Sequence, residues 1–222
     1  MLYIVATPIG NLEDISARAV RVLKEVDLIA AEDTRTSGVL LKKYGIATRM
    51  TSFHAFTDQR KLAELIGFLQ DGHDLALISD AGTPGISDPG YLLVKAAREA
   101  GIAICPVPGP AAFLAALSAS GLPINHFLYL GFLPMKKGRQ TMLKKLQEEE
   151  NTIVFYESPH RLLKTLRELS EYFPDRKLVV AREITKIYEE FQTGLPQELY
   201  QYFSQKTPRG EFVLIMAGKD RN

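Results

Sequence analysis

The sequence predicts an α/β protein of two domains: an N-terminal parallel five-stranded sheet with helices on both faces, then a C-terminal mixed sheet with helices. Three observations carry this. Short apolar runs alternate with segments of helical period from the first residue to about residue 107, the signature of βαβ units. Residues 106–123 gather Pro and Gly around a small-residue helix, 111–119, after which a fresh set of elements begins. The 222 residues exceed an ordinary domain of about 100–200 residues, so the division is placed at 1–112 and 113–222.

The first five strands are read at 2–6, 27–31, 49–52, 75–79 and 102–107, each too short for an average helix and most followed by Gly, Pro or Asp. Between them, Ile15, Ala19, Val22 and Val26 share one helical face, as do Leu62, Leu65, Ile66 and Leu69. Gly45, Gly72 and Gly101 stand where helices should end on a left-handed residue. The second set has strands at 127–130, 152–156, 177–181, 189–193 and 211–217, with helices near 139–148, 161–172 and 196–203. Two of these strands are joined by only a short turn, which demands an antiparallel pair and hence a mixed sheet.

Composition narrows the function classes. Hydrophobic residues make up 46% and charged residues 24%, enough for a core and too balanced for disorder. No apolar run approaches the roughly 20 residues that span a bilayer, and Met1 leads straight into a strand-like run instead of a signal peptide. A cytoplasmic protein is expected. The single cysteine, Cys105, forms no internal disulfide or metal cluster and reads as a buried thiol. A net charge of +1 means that any RNA affinity must come from a local patch.

Right-handed crossovers bring every loop that leaves a first-domain strand to one sheet edge, where ligands of α/β folds bind. Those loops are Thr7-Pro8-Ile9-Gly10-Asn11, Glu32-Asp33-Thr34-Arg35, Phe53-His54, residues 79–90 and Pro108-Gly109-Pro110-Ala111-Ala112. One Gly- or Pro-rich loop would signify only a tight turn. Several on one edge suggest a ligand. The 79–90 loop has neither the Lys of a phosphate cradle nor dinucleotide-binding glycine spacing. It carries Asp80 and Asp88 instead, which repel pyrophosphate but suit ribose hydroxyls and an ammonium group. A nucleoside with a cationic tail fits, and S-adenosylmethionine is such a molecule.

Four segments in this order, Thr7-Pro8-Ile9-Gly10-Asn11-Leu12, Ala31-Glu32-Asp33-Thr34-Arg35, the 79–90 loop and Pro108-Gly109-Pro110, resemble the tetrapyrrole methylase superfamily. Gly131-Phe132-Leu133-Pro134, Tyr156-Glu157-Ser158-Pro159-His160-Arg161, Ala181-Arg182-Glu183-Ile184-Thr185-Lys186 and Arg209-Gly210-Glu211 extend the resemblance over nearly the whole chain. They point to the branch that methylates small-subunit ribosomal RNA. The resemblance implies a two-domain fold with S-adenosylmethionine in the cleft between domains, a homodimer, and methylation of a cytidine ribose 2′-hydroxyl in the decoding centre of 16S rRNA, on the 30S subunit. It also implies a further helical segment beyond the last strand, where this sequence ends at Asn222.

Carried over by motif, the cofactor-binding residues are Pro8, Asp80, Ala81, Gly82, Thr83, Pro84 and Ala111 with Ala112, Tyr156, Arg182, Pro208 and Gly210. No metal or membrane is implied. A ribose hydroxyl is a poor nucleophile, so a proton acceptor is expected, and Glu32, His54 and Glu157 are the candidates. Each has an ordinary alternative: His54 beside Phe53 and Phe56 as a core residue, Glu157 paired with Arg161 one turn away. Asp33 competes between ligand and helix cap, and Asp80 between ligand and loop-shaping turn. Arg35, gaining nothing from a helix N-terminus, suggests a partner such as a phosphate or Glu32. Lys136, Lys137 and Arg139 form a basic stretch suited to RNA phosphates, against the alternative of a solvated surface run. Two rival functions share this pattern: a methylase of small tetrapyrroles, and a non-catalytic RNA- or nucleotide-binding module.

Overall fold

In the computed structural model, residues 1–54, 58–87 and 90–219 are described, and the chain divides into two units, Met1–Ala111 and Ala112–Asn222. The first holds five strands, β1 (Leu2–Val5), β2 (Leu28–Ala31), β3 (Met50–Ser52), β4 (Leu75–Ile78) and β5 (Ile104–Val107), in the order β3-β2-β4-β1-β5. Every pairing is parallel, as the alternating pattern predicts.

Among the described residues four α-helices connect them: α1 (Ala17–Glu25), α2 (Thr34–Lys43), α3 (Gln59–Gln70) and α4 (Tyr91–Glu99). The period-2 alternation of the strands divides their side chains between two cores. Val5, Ile29, Ala31, Ala76 and Ile78 meet Ala19, Val22 and Leu23 of α1 and Leu40 and Leu41 of α2. Leu2, Ala30, Leu75 and Leu77 meet Leu65 and Leu69 of α3 and Leu93 and Ala97 of α4. Gly45, Gly72 and Gly101 all have positive φ, as expected of C′ residues. After α2, Gly45 N–H reaches Lys42 O and Ile46 N–H reaches Leu41 O, the paired closure that satisfies the last carbonyls of a helix.

The second unit opens with α5 (Ala112–Ala119) and builds β6 (Phe127–Phe132), α6 (Arg139–Leu146), β7 (Thr152–Glu157), α7 (Leu162–Tyr172), β8 (Leu178–Arg182), β9 (Glu190–Gly194), α8 (Pro196–Ser204) and β10 (Phe212–Met216). The sheet order is β6-β7-β10-β8-β9. It is mixed: β6 and β7 are parallel, whereas β10 runs against β7 and β8, and β9 against β8. One face packs on α6, α7 and α8 through Ile153, Phe155, Leu166, Leu199, Leu214 and their neighbours.

Cys105 departs from the sequence reading. It is half-buried on the edge strand β5, where Arg18 Nη2 approaches its Sγ at 3.0 Å. No helix among the described residues is long and apolar enough to cross a membrane.

Candidate active site

In the first unit, β2 and β4 are neighbours whose connections diverge. The chain leaving β2 enters α2 on one face of the sheet, while the chain leaving β4 leads to α4 on the other. Such a switch opens a crevice at the carboxyl ends of the two strands. Glu32, Asp33 and Asp80 stand there.

Main-chain hydrogen bonds fix this edge. Thr7 and Gly82 exchange both N–H···O bonds, at 2.8 and 3.0 Å, and the buried Thr7 hydroxyl donates to Ser79 O at 3.0 Å. Thr83 Oγ1 donates to Pro110 O at 3.1 Å. Asp80 Oδ1 accepts the Asp33 N–H at 3.0 Å, and Asp80 N–H points at Glu32 Oε2 from 3.5 Å. Gly109 passes so close to β1 that a Cβ there would lie 2.9 Å from the Ala6 Cβ. The loops after β1, β2, β4 and β5 are therefore tied to one another through Pro8, Asp80, Ala81, Gly82, Thr83, Pro84 and Ala111 or their immediate neighbours. The sequence reading placed Thr7 at the head of the first of these loops but gave it no role, and its hydroxyl stitches two of them; its place directly after an apolar strand was the available signal.

Electrostatics separates the three carboxylates. Burial pushes Glu32 above the usual glutamate range, the charges of Asp80 and Asp33 add to this, and His54 and the Asp80 N–H pull the other way. Asp33 is held down to about 2, first by the Arg35 guanidinium and then by the Arg35 backbone N–H. It is the N-cap of α2, with Arg35 Nε and Nη2 on its two oxygens at 3.1 and 2.7 Å. Asp33, and not the expected Glu32, is thus the partner that the structure gives Arg35, whose side chain is 89% exposed. Asp80 does more than shape its own turn, since it spans to the neighbouring loop. Phe53 is buried and His54 is exposed. Phe56 and Asp88 lie outside the described residues.

In the second unit, Tyr156, Arg182, Pro208 and Gly210 share one end of the sheet. Phe212 pairs with both Glu157 and Arg182, so the carboxyl ends of β7 and β8 lie beside the segment entering β10. Arg182 Nε donates to Arg209 O at 2.8 Å and its Nη1 to Glu190 at 3.3 Å. A side chain on Gly210 would run into Glu183. Ala112 begins α5.

Two sequence assignments need correction here. Glu157, a proposed base, is 2% exposed, and its carboxylate receives Arg161 Nε at 2.7 Å, Ser158 N–H at 2.8 Å and Thr165 Oγ1 at 2.6 Å. Its oxygens are engaged and shielded, which suits an internal ion pair and not proton uptake from a substrate. Arg139, grouped with the RNA-binding lysines, is 4% exposed. Its guanidinium donates to Glu168 at 2.7 Å, Pro134 O at 3.0 Å and Thr165 Oγ1 at 2.7 Å. Lys136 and Lys137 are exposed. Among the described residues no group of three His, Cys, Asp or Glu is placed to hold a metal ion.

The profile of the Tetrapyrrole (Corrin/Porphyrin) Methylases matches residues 1–200. The chain belongs to this family. A protein of Synechocystis named "Ribosomal RNA small subunit methyltransferase I" is 51% identical over 98% of this chain and 79% of its own length. A Thermotoga maritima protein of the same name is 47% identical over 99% of both chains, and one from Escherichia coli O157:H7 is 50% identical over 98% of this chain and 77% of its own. The Thermotoga relative therefore lacks room for a long extra C-terminal segment. Among solved structures, cobalt precorrin-4 methyltransferase superposes with a TM-score of 0.70 at 18% identity, covering 97% of this chain and 94% of that one. Uroporphyrin-III C-methyltransferase of Thermus thermophilus gives 0.64 at 22%, covering 96% and 93%. At these identities the likeness is one of fold.

Proposed function

We propose that this chain transfers a methyl group from S-adenosylmethionine to small-subunit ribosomal RNA, at the 2′-hydroxyl of a cytidine ribose in the decoding centre, and that it works in the cytoplasm as a homodimer. The observation that supports a small-subunit rRNA substrate is the near-full-length similarity, close to half of all residues, to proteins named ribosomal RNA small subunit methyltransferase I. The tetrapyrrole enzymes share the fold at far lower identity, which ranks a tetrapyrrole substrate second.

The first-unit edge suits the methyl donor. Loops 7–11, 79–87 and 108–111 contain no Lys or Arg, so nothing in them opposes a sulfonium. Asp80, exposed and anchored by the Asp33 N–H, retains acceptor capacity for a hydroxyl or ammonium group. Pro8, residues 81–84 and Ala111 would hold the donor, with Ala112, Tyr156, Arg182, Pro208 and Gly210 contributed by the second unit. When bound, the donor supplies an electrophilic methyl carbon.

The protein's own contribution is positioning and proton removal. The acceptor oxygen must be held about 3–3.5 Å from that carbon, in line with the departing sulfur. Glu32 is the group best prepared to take the hydroxyl proton, because burial and two neighbouring carboxylates raise its affinity for a proton toward the working pH. His54, close enough to act on the Glu32 charge, is the second candidate. Arg35, Lys136 and Lys137 supply exposed cations for phosphates.

Incubating the protein with methyl-labelled S-adenosylmethionine and 30S subunits tests the reading. Label in 16S rRNA, mapped to a cytidine ribose, is expected. Label in a porphyrin-like acceptor alone would move the assignment to the tetrapyrrole enzymes, and cofactor binding without any transfer would make the chain a binding module.

A further inference from the structure

One irregularity in the second sheet changes which residues enter the core. From Tyr129 to Phe132 the register of β6 against β7 slips: Tyr129 pairs with Val154 and Phe132 with Tyr156, three steps along one strand against two along the other. The extra residue is a bulge, and Gly131 adopts the left-handed φ of 62° that it requires. In an unbroken strand Phe132 would follow Leu128 and Leu130 into the core shared with α6 and α7. The bulge turns it to the other face, with Phe127 and Tyr129, and leaves it 54% exposed. Leu133 takes the core position instead.

The re-aimed ring ends a row of aromatics. Phe127 and Tyr129 flank Phe113 of α5 at 6.2 and 4.5 Å between centroids, Tyr129 meets Tyr156 edge-on at 5.7 Å, and Tyr156 meets Phe132 at 5.6 Å. Beyond Phe132 the chain exposes Met135, 72% accessible, then Lys136 and Lys137. The Arg161 guanidinium lies 6.0 Å from the Phe132 centroid. This loop is not free to drift. Arg161 Nη1 holds Leu133 O at 3.1 Å and Arg139 Nη1 holds Pro134 O at 3.0 Å, both from the buried network around Glu157.

A large exposed ring closing a strand, followed by a tethered loop and beside a guanidinium and two lysines, is the arrangement on which single-stranded nucleic acid stacks a base while cations track its backbone. We infer that Phe132 is a base-stacking platform for an unpaired nucleotide of the RNA substrate, with Lys136 and Lys137 on the adjoining phosphates. This rests on the rRNA reading above and adds the residue that grips the strand.

Steady-state methyl transfer to 30S subunits by the full chain tests it, with calorimetry for S-adenosylmethionine and sedimentation for assembly state run on each variant. Phe132→Ala should raise KM for 30S roughly 10-fold, and Phe132→Leu should do nearly the same, since stacking on an aromatic is worth that much or more. Phe132→Tyr should restore KM. The kcat at saturating 30S and the affinity for S-adenosylmethionine should not change. Replacing Lys136 and Lys137 by Gln should lower the salt dependence of 30S binding by about two phosphate contacts. An unaltered KM in Phe132→Ala would overturn the inference, as would weakened cofactor binding or loss of self-association, which assign the ring to the cofactor or to a second copy. A wild type that leaves 30S unlabelled would instead refute the rRNA reading itself.

Discussion

Glu32 and Glu157 invite comparison. Each stands at the carboxyl end of the strand next to a sheet edge, one directly after β2 and the other closing β7. Around Glu157 are Arg161, Thr165 and Arg139, so the charge is neutralised and its oxygens are filled. Around Glu32 are Asp33 and Asp80, and the Asp80 N–H reaches it from 3.5 Å. The same side chain is thus a rivet in one unit and, in the function proposed above, a proton acceptor in the other. Partners, not residue type or place in the strand, decide which.

The largest effect that would sharpen this contrast is on turnover. Glu32→Gln should lower kcat by about 10²- to 10⁴-fold, the usual worth of a general base, without loss of fold. The stability sign is the reverse of the ordinary carboxylate case. Because the folded state raises the proton affinity of Glu32, its contribution is complete below the unfolded value and is lost as pH rises through the folded one. Glu32→Gln should therefore melt slightly higher than wild type at neutral pH and match it in acid, where the carboxyl is protonated in both states. A Tm that drops at neutral pH would break the contrast, since Glu32 would then be a rivet too.

Glu157→Gln should act on stability. It leaves Arg139 and Arg161 facing a neutral group in a site closed to water, and removing one partner of a buried pair costs about 3–5 kcal/mol. Urea unfolding at neutral pH reads this directly. A loss under about 1 kcal/mol would mean that the network is worth no more than a surface pair.

The smallest effect belongs to Arg35→Ala. This side chain is so exposed that its bond to Asp33 contributes little to folding, and the Tm should barely move. If Arg35 meets a phosphate, the slope of log affinity for 30S against log salt should fall by about one. An unchanged slope would leave Arg35 with only its place beside the α2 cap.

The first unit was the more legible in sequence because βαβ alternation, glycine stops and apolar helix faces are local signals that all agree. The mixed order of the second sheet could be inferred only as far as one tight antiparallel pair, since the position of β10 between β7 and β8 is a long-range choice. The site reading failed where a linear run hides a turn. Lys136, Lys137 and Arg139 look like one basic patch, but Gly138 is left-handed and starts α6, which sends Arg139 inward to Glu168 while the lysines stay outside. Glu157 illustrates the same limit. Its i,i+4 partner Arg161 was visible in sequence, whereas Arg139 and Thr165, which complete the shielding, come from elements folded against it.

The reciprocal bonds between Thr7 and Gly82 constrain how this edge can vary. One residue inserted between Val5 and Thr7 would slide Thr7 past its partner, break both bonds and withdraw the hydroxyl from Ser79. An equal insertion before Gly82 would do the same from the other side. A change of length in either turn therefore costs this edge its fixed geometry, whereas a substitution that keeps the length leaves the two main-chain bonds in place.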